Sequence, residues 1–359
     1  MKIILFGAGD FGHRVSKYLK QVDESPICFV DNNSTLWGQC FDGIKVCSPE
    51  EINEIKYDFV AICVNDQYYD DVYFQLRVEF RVDENRIIHW TYWARKELLQ
   101  YYDSSVVDLS EDEEKIIKRI ESSDRLKAFN YDFVDNYFNK AGCFWDADCN
   151  MYYALYKSHR LYLGSKFKVK EHAQIYINSL LMEQDVRSPH RYLSEEFPFD
   201  GGCVIDAGAA EGNFSLDIIE RADHVIMIEA DPAWNDAIKK TFEPWKDKIT
   251  IINKYLSDKD TDKTITIDKL SETYDFDFIK MDIEGAEVSA VRGGIKYLKR
   301  KNKIKLALCT YHNNDDEEKL RALLEPIGFR CQTTDGFMVF PDNLMQPARL
   351  VHGVLRAEK

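Results

Sequence analysis

Residues 204–232 read VIDAGAAEGNFSLDIIERADHVIMIEADP, and this stretch decides the fold of the C-terminal half of the chain. The apolar run at 203–207 is typical of a buried strand, and the turn after it, at 206–212, has glycines at 208 and 212. A helix is predicted to begin near Asn213, and a second strand at 225–228 ends at Glu229. This order of strand, glycine turn, helix and strand predicts a doubly wound parallel sheet.

The turn and the acid after the second strand suit a nucleoside-bearing ligand. A tight glycine turn ahead of a helix brings backbone N–H groups close to anionic oxygens. A carboxylate at the end of the second strand can accept hydrogen bonds from both hydroxyls of a ribose. The spacing differs from the G-x-G-x-x-G of a dinucleotide site, because the glycines fall at 208 and 212 only.

Further motifs follow in order along the C-terminal half. They are TITIDKL at 264–270, DFIKMDIEGAE at 277–287, LCTYHNNDD at 308–316 and RLVHGVLRAEK at 349–359. Together with VIDAGAAEGNFS and EADP, they make residues 185–359 resemble the FkbM-type family of S-adenosylmethionine (SAM) dependent O-methyltransferases. The resemblance implies a methyltransferase domain over 185–359, with SAM as its cofactor.

The resemblance also implies which residues hold the cofactor. The amino-acid end of SAM is expected over the turn at 206–212, the ribose at Glu229, and the adenine edge near Ser257 and Asp258. The full predicted set is Asp206, Gly208, Ala209, Glu211, Gly212, Asn213, Glu229, Ala230, Ser257, Asp258 and Asp282.

A base is expected near the acceptor. The predicted acceptor is a hydroxyl of a saccharide or sugar nucleotide in polysaccharide or glycoconjugate biosynthesis, and a hydroxyl is a weak nucleophile at neutral pH. Asp282, Glu284 and His312 fall at or just after predicted strand ends, where open α/β sheets place ligands. His312 is the first choice, because the pKa of histidine lies near working pH. The acidic residues could also hold a divalent ion, but their spacing does not demand one and no metal is predicted.

Four other residues are candidates for contact with the acceptor. Arginine side chains bind phosphate and carboxylate groups in a bidentate manner. The segment at 187–192, just ahead of the methyltransferase motifs, carries two arginines and a histidine, and Tyr311 precedes His312. The substrate candidates are therefore Arg187, His190, Arg191 and Tyr311.

The N-terminal residues 1–95 predict a second Rossmann-like domain. Gly7, Gly9 and Gly12 follow an apolar strand, and Asp31 ends the next one, which is the order of a dinucleotide fold. This part is similar to small nucleotide-sugar-binding domains attached to sugar-modifying enzymes. Three interpretations stay open: an oligomerisation or docking domain without a ligand, a sugar-nucleotide site, and an NAD(P) site.

Residues 96–184 are predicted to form a helical, aromatic-rich connector. The whole chain is therefore predicted to be α/β, with one doubly wound domain on each side of this connector. Near the C-terminus, 328–333 and 336–340 predict a hairpin, and 350–356 predicts a final edge strand. The nine scattered cysteines lack a C-x-x-C pair, which favours reduced thiols in a cytoplasmic protein.

Charge and hydropathy limit the classes of partner that the chain is expected to have. The net charge of −15 argues against a nucleic acid or an anionic membrane. No apolar run reaches the ~18 residues that span a bilayer, and the N-terminus lacks the cleavage region of a signal peptide. Homo-oligomerisation stays open. Two other functions remain as alternatives: a non-catalytic nucleotide-sugar-binding scaffold, and an NAD-dependent sugar oxidoreductase, although no hydride-transfer constellation follows the N-terminal glycines.

Overall fold

The computed structural model describes residues 1–22, 24–103, 107–138, 140–341, 344 and 346–359. The chain divides into two compact units. Unit 1 comprises Met1–Asn130 and Val339–Arg349, and unit 2 comprises Tyr131–Met338 and Leu350–Lys359. The segment predicted as a connector is thus divided between the units, and its residues 104–106 and 139 lie outside the described part of the chain.

Unit 1 alternates strands and helices, as its sequence predicts. Its strands are β1 (Lys2–Phe6), β2 (Ser25–Val30), β3 (Cys40–Phe41), β4 (Ile44–Cys47), β5 (Phe59–Ile62) and β6 (Ile87–His89). Its helices are α1 (Asp10–Gln21), α2 (Asp66–Phe74), α3 (Tyr92–Tyr101) and α4 (Glu111–Glu121). The sheet has the order β3-β4-β2-β1-β5-β6, and its pairs are parallel except for β3 with β4. This is the predicted doubly wound fold.

Unit 2 contains the larger α/β sheet. Its strands are β7 (Cys143–Asp146), β8 (Met151–Tyr156), β9 (His159–Tyr162), β10 (Gly202–Ala207), β11 (Ala222–Ile228), β12 (Ile249–Ile252), β13 (Tyr255–Leu256), β14 (Thr264–Ile265), β15 (Phe278–Met281), β16 (Lys305–Cys309), β17 (Arg330–Thr333) and β18 (Val354–Glu358). Its helices are α5 (Lys170–Glu183), α6 (Asn213–Ile218), α7 (Asn235–Thr241), α8 (Ile267–Leu270), α9 (Glu287–Arg292), α10 (Ile295–Arg300) and α11 (Asp316–Leu324).

The seven-stranded sheet has the order β12-β11-β10-β15-β16-β18-β17, with β18 antiparallel to both of its neighbours. Both faces are covered, because Ile205 and Ala207 of β10 join one apolar core and Val204 joins the other. The chain proceeds from β10 to β11 on one side, while β15 lies on the other. The carboxyl ends of β10 and β15 therefore flank the switch point where such sheets bind ligands.

Two predictions about the last strands are wrong. The strand β17 pairs with β18 rather than with 336–340, and β18 lies inside the sheet rather than at its edge. The burial of β18 explains its place, because Val354, Leu355 and Ala357 are all fully buried, as expected of a strand with neighbours on both sides. Apolar alternation identifies a strand, but it does not identify the strand that pairs with it.

The aromatic segment forms more than a helical connector. Strands β7, β8 and β9 make a three-stranded antiparallel sheet, and α5 follows it. Phe144 pairs with Tyr153 and Trp145 with Tyr152 across the first two strands, so the aromatic residues match each other in register. In the described ranges, no helix combines the length and the apolar character needed to cross a membrane.

Candidate functional site

A cavity of about 490 Å³ lies at the carboxyl ends of the central strands of unit 2. Its volume is in the range of small-molecule sites. A cavity of about 580 Å³ lies at the opposite ends of the same strands, beside Gly202 and Asp277. Because open α/β sheets bind ligands at the carboxyl ends, the first cavity is the candidate site. Its lining includes Gly208, Ala209, Glu211, Asn213, Glu229, Ala230, Asp282, Glu284 and Tyr311, all predicted from the sequence.

The glycine turn packs directly against the loop after β15. Gly208 has φ +71°, and a Cβ atom on it would lie 1.8 Å from the carbonyl oxygen of Asp282. Only a residue without a side chain allows this approach. At the other end of the turn, Gly212 has φ +90° and precedes α6. Gly208 therefore lets the loops after β10 and β15 meet at the cavity, whereas a Cβ atom on Gly212 would meet the Phe242 and Met227 side chains.

Glu229 is held in place by backbone donors. The amide of Ala210 donates to one of its carboxylate oxygens at 2.9 Å, and the amide of Asp231 donates to the other at 2.8 Å. Each carboxylate oxygen has a second acceptor position. The side chain lines the cavity, and the two backbone donors fix the direction of both of its oxygens.

Asp206 lies beneath the cavity rather than in it. It is fully buried, accepts a hydrogen bond from the Ser215 hydroxyl at 2.6 Å, and pairs with the Lys280 ammonium at 3.1 Å. The same ammonium donates to the carbonyl oxygen of Gly208 at 2.8 Å. Burial acts to lower the pKa of Lys280, but Asp206 and Asp282 outweigh it and raise the pKa. Asp206 and Lys280 together fix the glycine turn.

Asp282 has the most partners at the site. The hydroxyls of Tyr192 and Tyr311 donate to its two oxygens at 2.9 Å each. The Nε2 of His190 lies 3.3 Å from one oxygen, and the Nε2 of His312 lies 3.6 Å from the other. Burial acts to raise the pKa of Asp282, but His190, Lys280 and His312 hold it well below its ordinary value. A carboxylate of such low basicity is a poor proton acceptor at neutral pH.

His312 is only 4% exposed and is not among the residues that line the cavity. Its Nδ1 lies 3.3 Å from the carboxylate of Glu287, which is fully buried and also accepts the amide of Ile283 at 2.8 Å. Burial acts to lower the pKa of His312, but Glu287, Asp282 and Glu284 raise it. The buried ring lies between the carboxylates of Glu287 and Asp282, and its predicted role as base stays a prediction.

Two sets of side chains near Asp282 have the composition of metal ligands. One is His190, Asp282 and Cys309, and the other is Asp282, Glu287 and His312. In the second set the two carboxylates approach opposite nitrogens of the ring, as in an ion-paired chain. In the first, burial raises the pKa of the Cys309 thiol well above its ordinary value, although a metal binds the thiolate.

Several predicted residues lie elsewhere. Ser257 and Asp258 are not among the lining residues; Lys254, Tyr255 and Leu256 take that position. Arg187 forms a two-point ion pair with Asp185, at 2.8 and 2.7 Å. Arg191 lines a separate cavity of about 410 Å³. His190 does not line the cavity but contacts residues that do, namely Asp282 and the rings of Tyr192 and Tyr311.

Other lining residues were not predicted, notably Tyr176, Glu183, Tyr192, Trp234 and Lys280. Lys280 left a signal in the sequence, because a lysine within the apolar run DFIKMD must be paired when the strand is buried. Tyr176 and Glu183 left none. They lie on α5, ahead of the methyltransferase motifs, and their approach to the cavity is a matter of tertiary packing.

The glycine motif of unit 1 is partly explained by packing. A Cβ atom on Gly12 would lie 2.0 Å from the carbonyl oxygen of Gly7, and one on Gly7 would lie 2.4 Å from that of Cys63. A Cβ atom on Gly9 would meet nothing within 4 Å. The carboxylate of Asp31 accepts the amide of Ala8 at 2.7 Å. Gly7 and Gly12 are thus required by the fold, whereas Gly9 is not.

Two family models match the chain. Residues 1–88 match the model described as C2185-like, N-terminal, and residues 208–331 match the model described as Methyltransferase FkbM domain. No curated protein sequence matches.

Similar solved structures have low identity to this chain. The methyltransferase FkbM from Methylobacillus flagellatus KT is 14% identical, with a TM-score of 0.47 over 100% of this chain and 90% of that chain. The precorrin-6Y C5,15-methyltransferase from Geobacter metallireducens GS-15 is 12% identical, with a TM-score of 0.31 over 55% and 94%. A UDP-D-quinovosamine 4-dehydrogenase from Vibrio fischeri is 19% identical, with a TM-score of 0.21 over 24% and 74%. The family match confirms the predicted resemblance to FkbM methyltransferases over residues 208–331, while the O-methyl specificity and the wider bounds 185–359 stay predictions.

Proposed function

We propose that unit 2 is a SAM-dependent O-methyltransferase that acts on a hydroxyl of a saccharide or sugar-nucleotide acceptor. The observation that carries the proposal is the cavity at the switch point of the sheet, where the Gly208 turn meets the loop of Asp282 and Glu229 lies beside it. The family match over 208–331 supports the methyltransferase activity. The hydroxyl acceptor and a role in polysaccharide or glycoconjugate biosynthesis follow from the resemblance of the motifs.

The residues at the cavity fit the cofactor. The absence of a Cβ atom on Gly208 lets the turn close against the Asp282 loop at the cavity, and Glu229 offers two fixed oxygens for a diol. Asn213 is at the start of α6. Lys254–Leu256 line the side of the cavity where the adenine of the cofactor is expected. Bound SAM supplies a methyl group on a cationic sulfur, and the surplus of carboxylates around the cavity favours that charge.

The residues of this chain would orient the reactants and exclude water. Tyr192 and Tyr311 both donate to Asp282, so their rings are fixed at the wall of the cavity. A methyl acceptor must be held in line with the bond that breaks, at about 3 Å, and rigid walls favour such placement. The intact Glu229 and Asp282 argue against a decayed, non-catalytic scaffold.

The proposal is tested by calorimetric titration of the full chain with SAM and with its demethylated product, S-adenosylhomocysteine (SAH). We expect saturable binding of both. The variant Glu229→Gln sets an amide group against one of the two backbone donors and should lower the affinity for both ligands. The control Glu220→Gln, at an exposed glutamate, should leave both affinities unchanged. Wild-type protein that binds neither ligand at millimolar concentration would refute the proposal.

A further inference from the structure

Among the residues that the structure describes, one carboxylate at the cavity has no hydrogen-bond or ion-pair partner. Glu211 accepts the hydroxyl of Tyr176 at 2.5 Å, Glu229 accepts two backbone amides, and Asp282 accepts two tyrosine hydroxyls. Glu183 lines the same cavity. Within the described residues, no hydrogen bond or ion pair of the protein engages its carboxylate, so its acceptor positions are not used by the protein.

The position of Glu183 makes its carboxylate unusually basic. Burial raises its pKa to about 7, and the carboxylates of Asp282 and Glu211 add to this, while His190 and Lys280 oppose it. Glu183 is also the last residue of α5, and the negative end of a helix disfavours a carboxylate. The titratable groups around it are Tyr176 on the same helix, His190 and Tyr192 ahead of β10, Glu211 after β10, Lys280 and Asp282 on and after β15, and Tyr311 after β16.

The other candidate bases are less suited to accept a proton. The carboxylate of Asp282 has a pKa well below its ordinary value, because His190, Lys280 and His312 surround it. His312 has a raised pKa and does not line the cavity. A general base works best when its pKa is near the working pH and when it reaches the proton to be removed.

We propose that Glu183 is the catalytic base that accepts the proton of the acceptor hydroxyl, an inference that rests on the proposed methyltransferase function. In the reaction the acceptor oxygen forms a bond to the methyl carbon, and the carbon–sulfur bond breaks with its electron pair remaining on sulfur. The hydroxyl proton passes to the Glu183 carboxylate, which becomes a neutral carboxylic acid and later releases the proton to solvent. No other reactant is required.

The first test measures the protonation of Glu183 directly. The full chain, labelled with ¹³C at the glutamate side-chain carboxyl, is titrated from about pH 3.5 to pH 9 by NMR, and the signal absent from Glu183→Gln is assigned to Glu183. We expect a midpoint near pH 7, where the pKa of Glu183 lies. A midpoint near 4.5, the ordinary value for glutamate, would overturn the proposal.

The second test uses SAM and SAH as probes, because they differ in the charge on sulfur and share all other ionisable groups. As Glu183 loses its proton, the new negative charge should favour the cationic ligand, so the affinity ratio of SAM to SAH should rise several-fold between pH 6 and pH 8. The variant Glu183→Gln should show a flat ratio. Glu220→Gln, an exposed control, should behave as the wild type.

The outcomes separate this proposal from the function on which it rests. A ratio that rises in the wild type and is flat in Glu183→Gln supports it. A flat ratio in the wild type, or the same rise in both proteins, overturns the role of Glu183 while the binding of SAM still stands. Absence of binding of either ligand to the wild type overturns both. Melting temperatures of the two variants establish that each is folded.

Discussion

The variant Gly208→Ala tests whether the contact between the two loops builds the site. A Cβ atom at this position would lie 1.8 Å from the carbonyl oxygen of Asp282, and the residue has φ +71°. Real Cβ contacts essentially never fall below 3.0 Å, so the loops must separate by roughly 1 Å. The left-handed backbone alone costs about 1–2 kcal/mol for a residue with a side chain. A displacement of ~1 Å at a site costs up to ~100-fold in function.

The matched control for this variant is Gly328→Ala. Gly328 also has a positive φ, +97°, but its Cβ atom would meet only the Lys359 side chain, at 4.0 Å. Both variants should lower the unfolding free energy by about 1–2 kcal/mol through backbone strain. Gly208→Ala should lower the free energy of unfolding further and should lower the affinity for SAM at least ~10-fold, because the wall of the cavity moves. Thermal unfolding and calorimetric titration measure both effects. Gly208→Ala with unchanged affinity for SAM would refute the reasoning.

Three further predictions concern charged side chains. Glu229→Ala should weaken SAM binding by ~2–3 kcal/mol, as expected when a charge-assisted pair of hydrogen bonds is lost; calorimetry that gives an unchanged affinity would contradict this. Lys280→Met should lower the unfolding free energy by about 3–5 kcal/mol, because Asp206 is left buried and unpaired; denaturant unfolding measures the loss, and a change below 1 kcal/mol would contradict it. The raised pKa of His312 means that its stabilising charge is complete below pH 6.5 and is lost as the pH rises through the raised value. His312→Gln should therefore flatten the fall in unfolding free energy above pH 6.5, and an unaltered pH profile would count against the ion pair.

Local patterns in the sequence predicted most of the elements that build the site. The strand before Gly208 and the helix from Asn213 begin within a residue of their predicted places, and the strand before Glu229 ends as predicted but begins three residues earlier, at Ala222. These features depend on apolar periodicity and on glycine, which act over a few residues. The switch point then follows from the order of parallel strands, so the predicted cluster of Glu229 and Asp282 could be assembled without coordinates.

What could not be predicted depends on contacts between distant residues. The partner of β17 is set by tertiary packing, and the same is true of the approach of Glu183 from α5 to the cavity. The role of Asp206 depends on its burial beside Lys280, which no spacing in the sequence reveals. The pKa of His312 is likewise a property of Glu287, a neighbour in space.

The central claim is that the cavity at the carboxyl ends of β10 and β15 binds SAM, and the most direct test is calorimetric titration of the full chain with this ligand. We expect saturable binding of one SAM per chain. At a concentration 100-fold above the dissociation constant, we also expect stabilisation of about 2.7 kcal/mol, and hence a rise in melting temperature of roughly 5–11 °C for a domain of about 150–250 residues. Absence of binding heat and of any rise in melting temperature at millimolar SAM would contradict it.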